Sequence, residues 1–222
     1  MKSMEQRTLE WYRARLGHIT GSQVYKIMGK GRKGEFTETG YSYLRKVIGE
    51  QTMRQDFIDD DGTFQDYLDE ENTESKAMRR GTEYEETARY EYELATGSVV
   101  SQTGSVRLEG TIFASSPDGI VKDDKGTIIR CVEIKCPLQE RFVKYSNINF
   151  QEELKADVPE YYWQCVSHMV VTGCAECDFA VYNPWQMIPL HILHVQRDDD
   201  DVKTLLSRIE LATEYINTHK II

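Results

Sequence analysis

The residues of this sequence best suited to chemistry are two acids and a lysine in one β-rich stretch. Asp118 follows a proline, and Glu133 and Lys135 lie in an alternating segment after a glycine-containing turn. Side chains two apart in a strand share a face, so Glu133 and Lys135 point one way while Val132 and Ile134 point the other. If Asp118 lies on the neighbouring strand, the three polar groups meet at one place.

Such a group could hold a hard divalent cation. Mg²⁺ prefers oxygen ligands, which Asp118, Glu133 and the carbonyl of Ile134 would supply. The metal would lower the pKa of a bound water and shield a phosphodiester, and Lys135 would orient the water or neutralise developing charge. The simpler alternative is a solvated ion pair between Glu133 and Lys135, because Glu-x-Lys is a common tripeptide.

The net charge of −10 is unevenly distributed along the 222 residues. Residues 56–74 hold nine acidic and no basic side chains, whereas residues 1–50 hold ten Lys or Arg and five Glu. The acidity is therefore local, and a basic surface for DNA remains available. No apolar run reaches the length of a membrane span, and the first residues show no signal-peptide pattern. With an odd count of five cysteines, these features predict a cytoplasmic protein without membrane contact.

One domain over 1–222 is predicted, because no linker rich in Pro, Gly or Ser and no internal repeat interrupts the chain. The hydrophobic periodicity predicts helices and a sheet. Helices are predicted at 5–16, 22–28, 38–51, 75–96, 159–172 and 201–218. Strands are predicted at 98–107, 111–122, 127–135, 177–183 and 189–196, with a hairpin turn at 123–126. An acidic, insertion-like loop or weak helix is predicted at about 54–75. The fold class is α/β, with a central mixed β-sheet flanked by helices.

The segments SPDGIV and VEIKCP resemble the signature of PD-(D/E)XK nucleases. The chain is further similar to the phage lambda-type alkaline exonucleases, or YqaJ-like viral recombinases. That resemblance rests on four more stretches, which are WYRARLGHITGSQV, SKAMRRGTEYEETARYEYELATG, YYWQCVSHMVVTG and the C-terminal helix. It covers nearly the whole chain and implies a restriction-endonuclease-like core.

The resemblance implies roles for the catalytic residues. Asp118 and Glu133 would be the principal metal ligands together with the carbonyl of Ile134, and Lys135 would serve the attacking water. Glu85 matches a helix glutamate that reaches towards a second metal. The implied cofactor is Mg²⁺, with Mn²⁺ as a substitute.

The resemblance also implies DNA-binding residues. Arg15 matches the arginine that holds the 5′-phosphate of the degraded strand, and Ser22 and Ser116 match hydroxyl residues near that phosphate and the scissile site. Met78 stands where the family has an apolar wedge that parts the duplex. Gln164 matches a glutamine beside the active centre. From the residues alone, Arg15 could instead pair with a glutamate of its own helix, and Gln164 could be a buried structural amide.

The activity implied by the resemblance is a metal-dependent 5′→3′ exodeoxyribonuclease, encoded by a phage or prophage and acting in the bacterial host. It would degrade duplex DNA from 5′-phosphate ends and leave 3′ overhangs for a single-strand annealing recombinase, and the implied assembly is a homotrimer ring. The alternatives are a structure-specific endonuclease or nickase on the same core, and a non-catalytic protein that binds DNA ends. The lone C-x-x-C at Cys174 and Cys177 and the spacing of the histidines do not predict a zinc site.

Overall fold

The computed structural model describes residues 6–32, 34–71 and 76–220, without the side chains of residues 76–78. The helices are α1 (Leu9–Arg15), α2 (Tyr25–Met28), α3 (Glu38–Gln51), α4 (Gln55–Asp59), α5 (Asp61–Glu71), α6 (Lys76–Thr96), α7 (Gln139–Ser146), α8 (Gln151–Asp157), α9 (Pro159–Thr172) and α10 (Asp199–His219). The strands are β1 (Ile19–Thr20), β2 (Val100–Ser101), β3 (Val106–Arg107), β4 (Phe113–Ser115), β5 (Gly119–Lys122), β6 (Ile128–Lys135), β7 (Glu176–Tyr182) and β8 (Leu190–Gln196).

A five-stranded mixed sheet forms the centre, in the order β2-β5-β6-β7-β8. Strands β6 and β7 are parallel, and the other neighbouring pairs are antiparallel. Helices α7, α8 and α9 connect the two parallel strands. A small sheet in the order β1-β4-β3 stands beside it, with β1 and β4 parallel. The predicted α/β class with a central mixed sheet is confirmed.

Helices cover the central sheet on both faces. On one face, Ala88 and Tyr92 of α6 pack on Val132 and Ile134 of β6 in a small apolar cluster. On the other face, α9 and α10 enclose the larger core, which includes Cys131 of β6. Strand β6 is therefore buried on both sides, as expected of a strand with a parallel neighbour. The simpler alternative, in which the second face of this strand is solvated, does not hold for Cys131–Ile134.

Helix α9 shows why several boundaries were predictable. Pro159 occupies the first turn, where its missing N–H costs no hydrogen bond. Gly173 follows the last turn in the left-handed conformation, with φ of 74°, and its N–H bonds to the Met169 carbonyl. A residue with a Cβ adopts that conformation reluctantly. The helix spans Pro159–Thr172 as predicted.

The predicted strand at 111–122 is wrong, because the chain divides there between the two sheets. Phe113–Ser115 belongs to the small sheet, and Gly119–Lys122 belongs to the central sheet. Between them stands Ser116–Pro117–Asp118. Proline lacks the N–H that a continuous ladder needs, so the segment leaves one sheet and enters the other. This break places Asp118 at the start of β5 rather than inside a strand.

The acidic segment is helical where a loop or weak helix was predicted. Helix α5 buries Phe64 and Leu68, which lie four residues apart and so share one face. Its charges also find basic partners, such as Arg13 for Asp61 at 2.6 Å and Lys46 for Glu71 at 2.6 Å. Burial of the apolar pair decides the conformation despite the repulsion among the acids.

Helix α2 is shorter than predicted. It begins after Val24, which caps it without a side-chain hydrogen bond, and not at Ser22. Within the described ranges, no helix combines the length and the apolar character that crossing a bilayer would require.

Candidate active site

The break between β4 and β5 brings Asp118 to the central strand. Its Oδ2 accepts a hydrogen bond of 2.8 Å from the backbone N–H of Ile134. The N–H and C=O of one strand residue point to the same neighbour, so the carbonyl of Ile134 is directed to the Asp118 side. This orientation agrees with the predicted role of that carbonyl as an oxygen ligand, which stays a prediction.

Glu133 is fully buried, with none of its side chain exposed. Its Oε1 accepts from the Lys135 ammonium, and its Oε2 accepts from His168 Nε2 at 2.6 Å. The Lys135 nitrogen also lies 5.0 Å from the centre of the Tyr161 ring on α9. The Glu133–Lys135 ion pair does exist, but Glu133 is fully buried and the Lys135 side chain is only 25% exposed, so it is not the solvated surface pair of the simpler alternative.

The charged groups of the site shift one another's pKa values, because several carboxylates lie near the ammonium of Lys135. Burial raises the pKa of Asp118, and the negative charges of Glu133 and Glu85 raise it further. Burial alone would raise the pKa of Glu133, but Lys135 and His168 outweigh it and lower that pKa. Burial opposes the charge of Lys135, yet Glu133 and Asp118 raise its pKa. These two carboxylates therefore favour the ammonium form of Lys135.

Glu85 approaches this group from α6 but is held by arginines. Its Oε2 accepts from Arg7, and its Oε1 accepts from Arg89 at 2.9 Å. Glu85 is still close enough to raise the pKa of Asp118. Across the described ranges, no three His, Cys, Asp or Glu side chains stand together at metal-binding distance. The structure thus does not bring the predicted ligands Asp118, Glu133 and Glu85 into one coordination sphere.

The donor chemistry nevertheless fits a hard divalent cation. Asp118 and Glu133 supply carboxylate oxygens, and the mutual repulsion that raises the pKa of Asp118 is what a bound cation relieves. Competing cations now occupy the acids, since Lys135 binds Glu133 while Arg7 and Arg89 bind Glu85. A metal at Asp118 and Glu133 would compete with Lys135 for the Glu133 carboxylate.

Arg15 and two serines form a second polar group, which we call the Arg15 pocket. Arg15 Nη1 donates to Ser116 Oγ at 2.9 Å, and Nη2 donates to Ser22 Oγ at 3.3 Å. The guanidinium lies 4.2 Å from the Trp11 ring centre. Burial lowers the pKa of Arg15, although Tyr43 and other neighbours raise it. The three residues assigned to the 5′-phosphate therefore meet, although they come from positions far apart in the chain.

The Arg15 pocket has a cation but no anion. Among the described residues, no carboxylate oxygen lies within ion-pair distance of Arg15, and its helix neighbour Glu10 does not pair with it. The hydroxyl partners are neutral and can rotate, so an incoming anion could replace them as the acceptor. The alternative of a helix-surface ion pair is not seen for Glu10, and Glu5 lies outside the described residues.

Gln164 lies on the helix face that covers the site. Residues three or four apart on a helix are neighbours, so Gln164 lies between Tyr161 and His168, which contact Lys135 and Glu133. Gln164 is 8% exposed, and in the part of the chain that the structure describes, its amide has no hydrogen-bond partner. The structural alternative, a buried amide bonded to backbone, is therefore not observed. Met78 lies in the first turn of α6, but its side chain is outside the described residues.

His168 is the site residue that sequence reasoning missed. The search for histidine pairs at metal-ligand spacing passed over it, because it acts on Glu133 through packing and not through a sequence motif. Its position four residues after Gln164 on a predicted helix was the available signal. Ser115, which contacts His168 Nδ1 at 2.8 Å, was missed for the same reason.

Known proteins resemble this chain in sequence and in fold. A sequence profile of the YqaJ-like viral recombinase domain matches residues 10–175, which include every predicted site residue. No curated protein matches the sequence significantly.

Solved structures with the same fold are similar along nearly the whole chain. An alkaline exonuclease, LHK-Exo from Laribacter hongkongensis, has a TM-score of 0.72 at 26% identity, covering 95% of this chain and 93% of that chain. LHK-Exo in complex with dAMP gives a TM-score of 0.73 with the same identity and coverage. A phage-related exonuclease from Haemophilus somnus 129PT has a TM-score of 0.63 at 16% identity, covering 90% and 95% of the two chains, and supports the fold alone.

Proposed function

This chain belongs to the YqaJ-like viral recombinase domain family, and from that premise we propose that it is a metal-dependent 5′→3′ exodeoxyribonuclease. Its substrate would be duplex DNA with a 5′-phosphate end, and its cofactor Mg²⁺ or Mn²⁺. The similarity to LHK-Exo over 95% of the chain supports a nuclease acting on DNA. The finer statements on direction and cofactor rest on the residues of the site.

The observation that carries the proposal is an arginine bonded only to neutral hydroxyls among the described residues, beside a carboxylate pair. Arg15 bonds to Ser116, which lies two residues before Asp118. The charges of Glu133 and Asp118 raise the pKa of Arg15 against the effect of burial, so they lie within electrostatic reach of it. A terminal phosphate and the first phosphodiester are neighbours on a DNA strand. A site for the terminal phosphate next to carboxylates that act on the first phosphodiester favours cleavage at the end of the strand.

In this proposal, each residue of the site has a separate role. Arg15 would grip the terminal phosphate with two N–H groups. Lys135, held protonated by Glu133, would stabilise negative charge on the scissile phosphate. Asp118 and Glu133 would hold the cation, which when bound lowers the pKa of a water and shields the leaving oxygen. Gln164 faces the same space, where its free amide can bond to substrate or water.

Further expectations follow from the same assignment. Degradation of one strand would leave a 3′ overhang for a single-strand annealing recombinase in the bacterial host, and a homotrimer ring would keep the enzyme on its DNA. LHK-Exo has been crystallised with dAMP, a deoxynucleoside monophosphate. A product of that class is what an exodeoxyribonuclease releases.

The test is degradation of three labelled substrates by the purified protein. A linear duplex with 5′-phosphate ends should yield mononucleotides with Mg²⁺ or Mn²⁺, a 5′-hydroxyl duplex should react more slowly, and a closed circle should stay intact. Ca²⁺ should allow binding without cleavage, because its looser coordination positions water poorly. Chromatography of the products and gel electrophoresis of the circle measure these outcomes.

The same experiment separates the alternatives. Cleavage of the closed circle would establish an endonuclease or nickase. Binding of duplex ends with no release of nucleotides under any of these metals would establish a non-catalytic end-binding protein. Release of nucleotides from the 3′ end would contradict the proposed direction.

A further inference from the structure

A line of three buried polar side chains runs behind the candidate active site. Ser115 Oγ lies 2.8 Å from His168 Nδ1, and His168 Nε2 lies 2.6 Å from Glu133 Oε2. All three residues have no exposed surface. They come from β4, α9 and β6, so the line joins three separate elements. Buried polar groups in such numbers need a reason, because each costs free energy unless it is hydrogen-bonded.

The direction of these hydrogen bonds follows from the acceptor at one end. An ionised carboxylate only accepts, so His168 Nε2 donates to Glu133. In the neutral imidazole the other nitrogen is then an acceptor, and the Ser115 hydroxyl donates to it. Glu133 thereby sets the tautomer of His168, and Ser115 helps to hold the orientation of its ring. The His168 N–H in turn holds Oε2 of Glu133, while Lys135 holds Oε1.

The far end of the line is fixed by close packing. A Cβ at Gly21 would stand 2.0 Å from Ser115 Oγ, so only glycine leaves room for the hydroxyl. The Gly21 N–H bonds to the carbonyl of Ala114 at 2.9 Å. Ser22 and Ser116, the next residues on the two segments, belong to the Arg15 pocket. The line is therefore anchored on the strands that build that pocket.

We propose that His168 is a positioning residue, oriented by Ser115, that fixes the Glu133 carboxylate for a divalent cation. The inference rests on the proposed function in naming Glu133 as a metal ligand. Among the described residues, Glu133 accepts side-chain hydrogen bonds from His168 and Lys135 alone, so without His168 its carboxylate would turn towards Lys135. Hydrogen-bond partners of ligating carboxylates change metal affinity or activity by about 10- to 100-fold when removed.

Two amide substitutions of the same polarity test the geometry. In His168→Gln the amide nitrogen reaches the place of Nε2 and can still donate to Glu133. In His168→Asn the shorter amide reaches only the place of Nδ1 and leaves Oε2 unbound. Ser115→Ala keeps the imidazole but removes the hydrogen bond to Nδ1 that helps to orient the ring. His194→Asn is the matched control, because His194 contacts the carboxylate of Asp178 at 2.6 Å on the α6 side of the sheet, away from the site.

The primary readout is Mn²⁺ binding without DNA, measured from the free Mn²⁺ signal in electron paramagnetic resonance. His168→Asn should weaken Mn²⁺ binding by about 10- to 100-fold, Ser115→Ala by a smaller factor, and His168→Gln and His194→Asn least. Cleavage at saturating metal should show a lower kcat with little change in KM for His168→Asn. Thermal unfolding of each variant separates this effect from loss of the fold.

Wild-type Mn²⁺ affinity in folded His168→Asn would overturn the proposal. An equal loss of Mn²⁺ affinity in His168→Gln and His168→Asn, together with an equal drop in Tm, would also overturn it. That pattern is expected of a residue whose role is only structural. If His168→Asn does not fold, Ser115→Ala becomes the test variant. Wild-type Mn²⁺ affinity in Ser115→Ala would then overturn the proposal. A wild-type protein that binds Mn²⁺ but cuts no DNA would refute the proposed nuclease, while the comparison of Mn²⁺ affinities would still stand.

Discussion

Replacement of Arg15 by alanine is the perturbation that most directly tests end recognition. Arg15 bonds to Ser116 at 2.9 Å and to Ser22 at 3.3 Å, and its guanidinium lies over the Trp11 ring. These contacts hold the planar fork in place before any anion arrives. Wild-type protein should therefore degrade a 5′-phosphorylated duplex much faster than a 5′-hydroxyl duplex. Arg15→Ala should lose most of that preference.

The size of the effect follows from the bonds that the guanidinium can make to a phosphate. A hydrogen bond to a charged group contributes about 1.5–3 kcal/mol. Loss of that amount in the transition state changes a rate by about 10- to 150-fold at 25 °C. The ratio of the two rates, 5′-phosphate over 5′-hydroxyl, should shrink by this factor. The slow rate on the 5′-hydroxyl duplex should change little, because Asp118, Glu133 and Lys135 remain.

The assay compares initial rates for each protein on the two duplexes, with thermal unfolding as a check of the fold. Arg15→Lys keeps the charge but not the planar fork, and it should recover only part of the preference. Arg45→Ala is the control, since Arg45 is an exposed arginine that pairs with Glu38 on α3. Equal slowing of both duplexes by Arg15→Ala would show that Arg15 is a general backbone contact or a structural residue, and the reasoning would fail.

Two further predictions concern the carboxylate site and the backbone. Asp118→Asn should abolish metal-dependent cleavage while it keeps the hydrogen bond from the Ile134 N–H. Because it removes a partly buried negative charge near Glu133, its Tm in EDTA should equal or exceed that of wild type. A clearly lower Tm would point to a structural role. Gly173→Ala should lower the free energy of unfolding by about 1 kcal/mol, because φ there is 74°, whereas Gly49→Ala in the exposed interior of α3 should raise it by about 0.5–1 kcal/mol. Both have open space around a new Cβ, so urea unfolding isolates the backbone effect, and a stabilised Gly173→Ala would contradict it.

The elements that sequence alone determined are those specified by local chemistry. The hairpin after β5 closes with Asp123 N–H bonding to Thr127 O at 2.9 Å, and Gly126 adopts a φ of 83°. Helices α3 and α9 span the predicted residues, because caps and apolar periodicity are encoded within a few positions. The alternation in β6 correctly placed Glu133 and Lys135 on one face. The hairpin, the two helices and the alternation in β6 each depend on residues that are close together in the sequence.

Other assignments came from the family resemblance and could not be read from spacing. Nothing in the local sequence joins Arg15 to Ser116, which are 101 positions apart. The structure brings them together through the parallel pairing of β1 with β4, which sets Ile19 opposite Phe113. The strand predicted across Ser116 failed for a related reason, since the choice between two sheets depends on which partners are available.

Only the tertiary structure decided which polar groups contact the Glu133 carboxylate. His168 lies 35 positions from Glu133, and Ser115 lies 53 positions from His168. No periodicity links them, because their contact depends on how α9 packs across β6 and beside β4. Because Glu133 is buried, its carboxylate depends on these hydrogen-bond donors, since a buried charge without partners is strongly destabilising. The sequence alone identified the acids and the lysine, whereas the packing of distant elements determined what holds them in place.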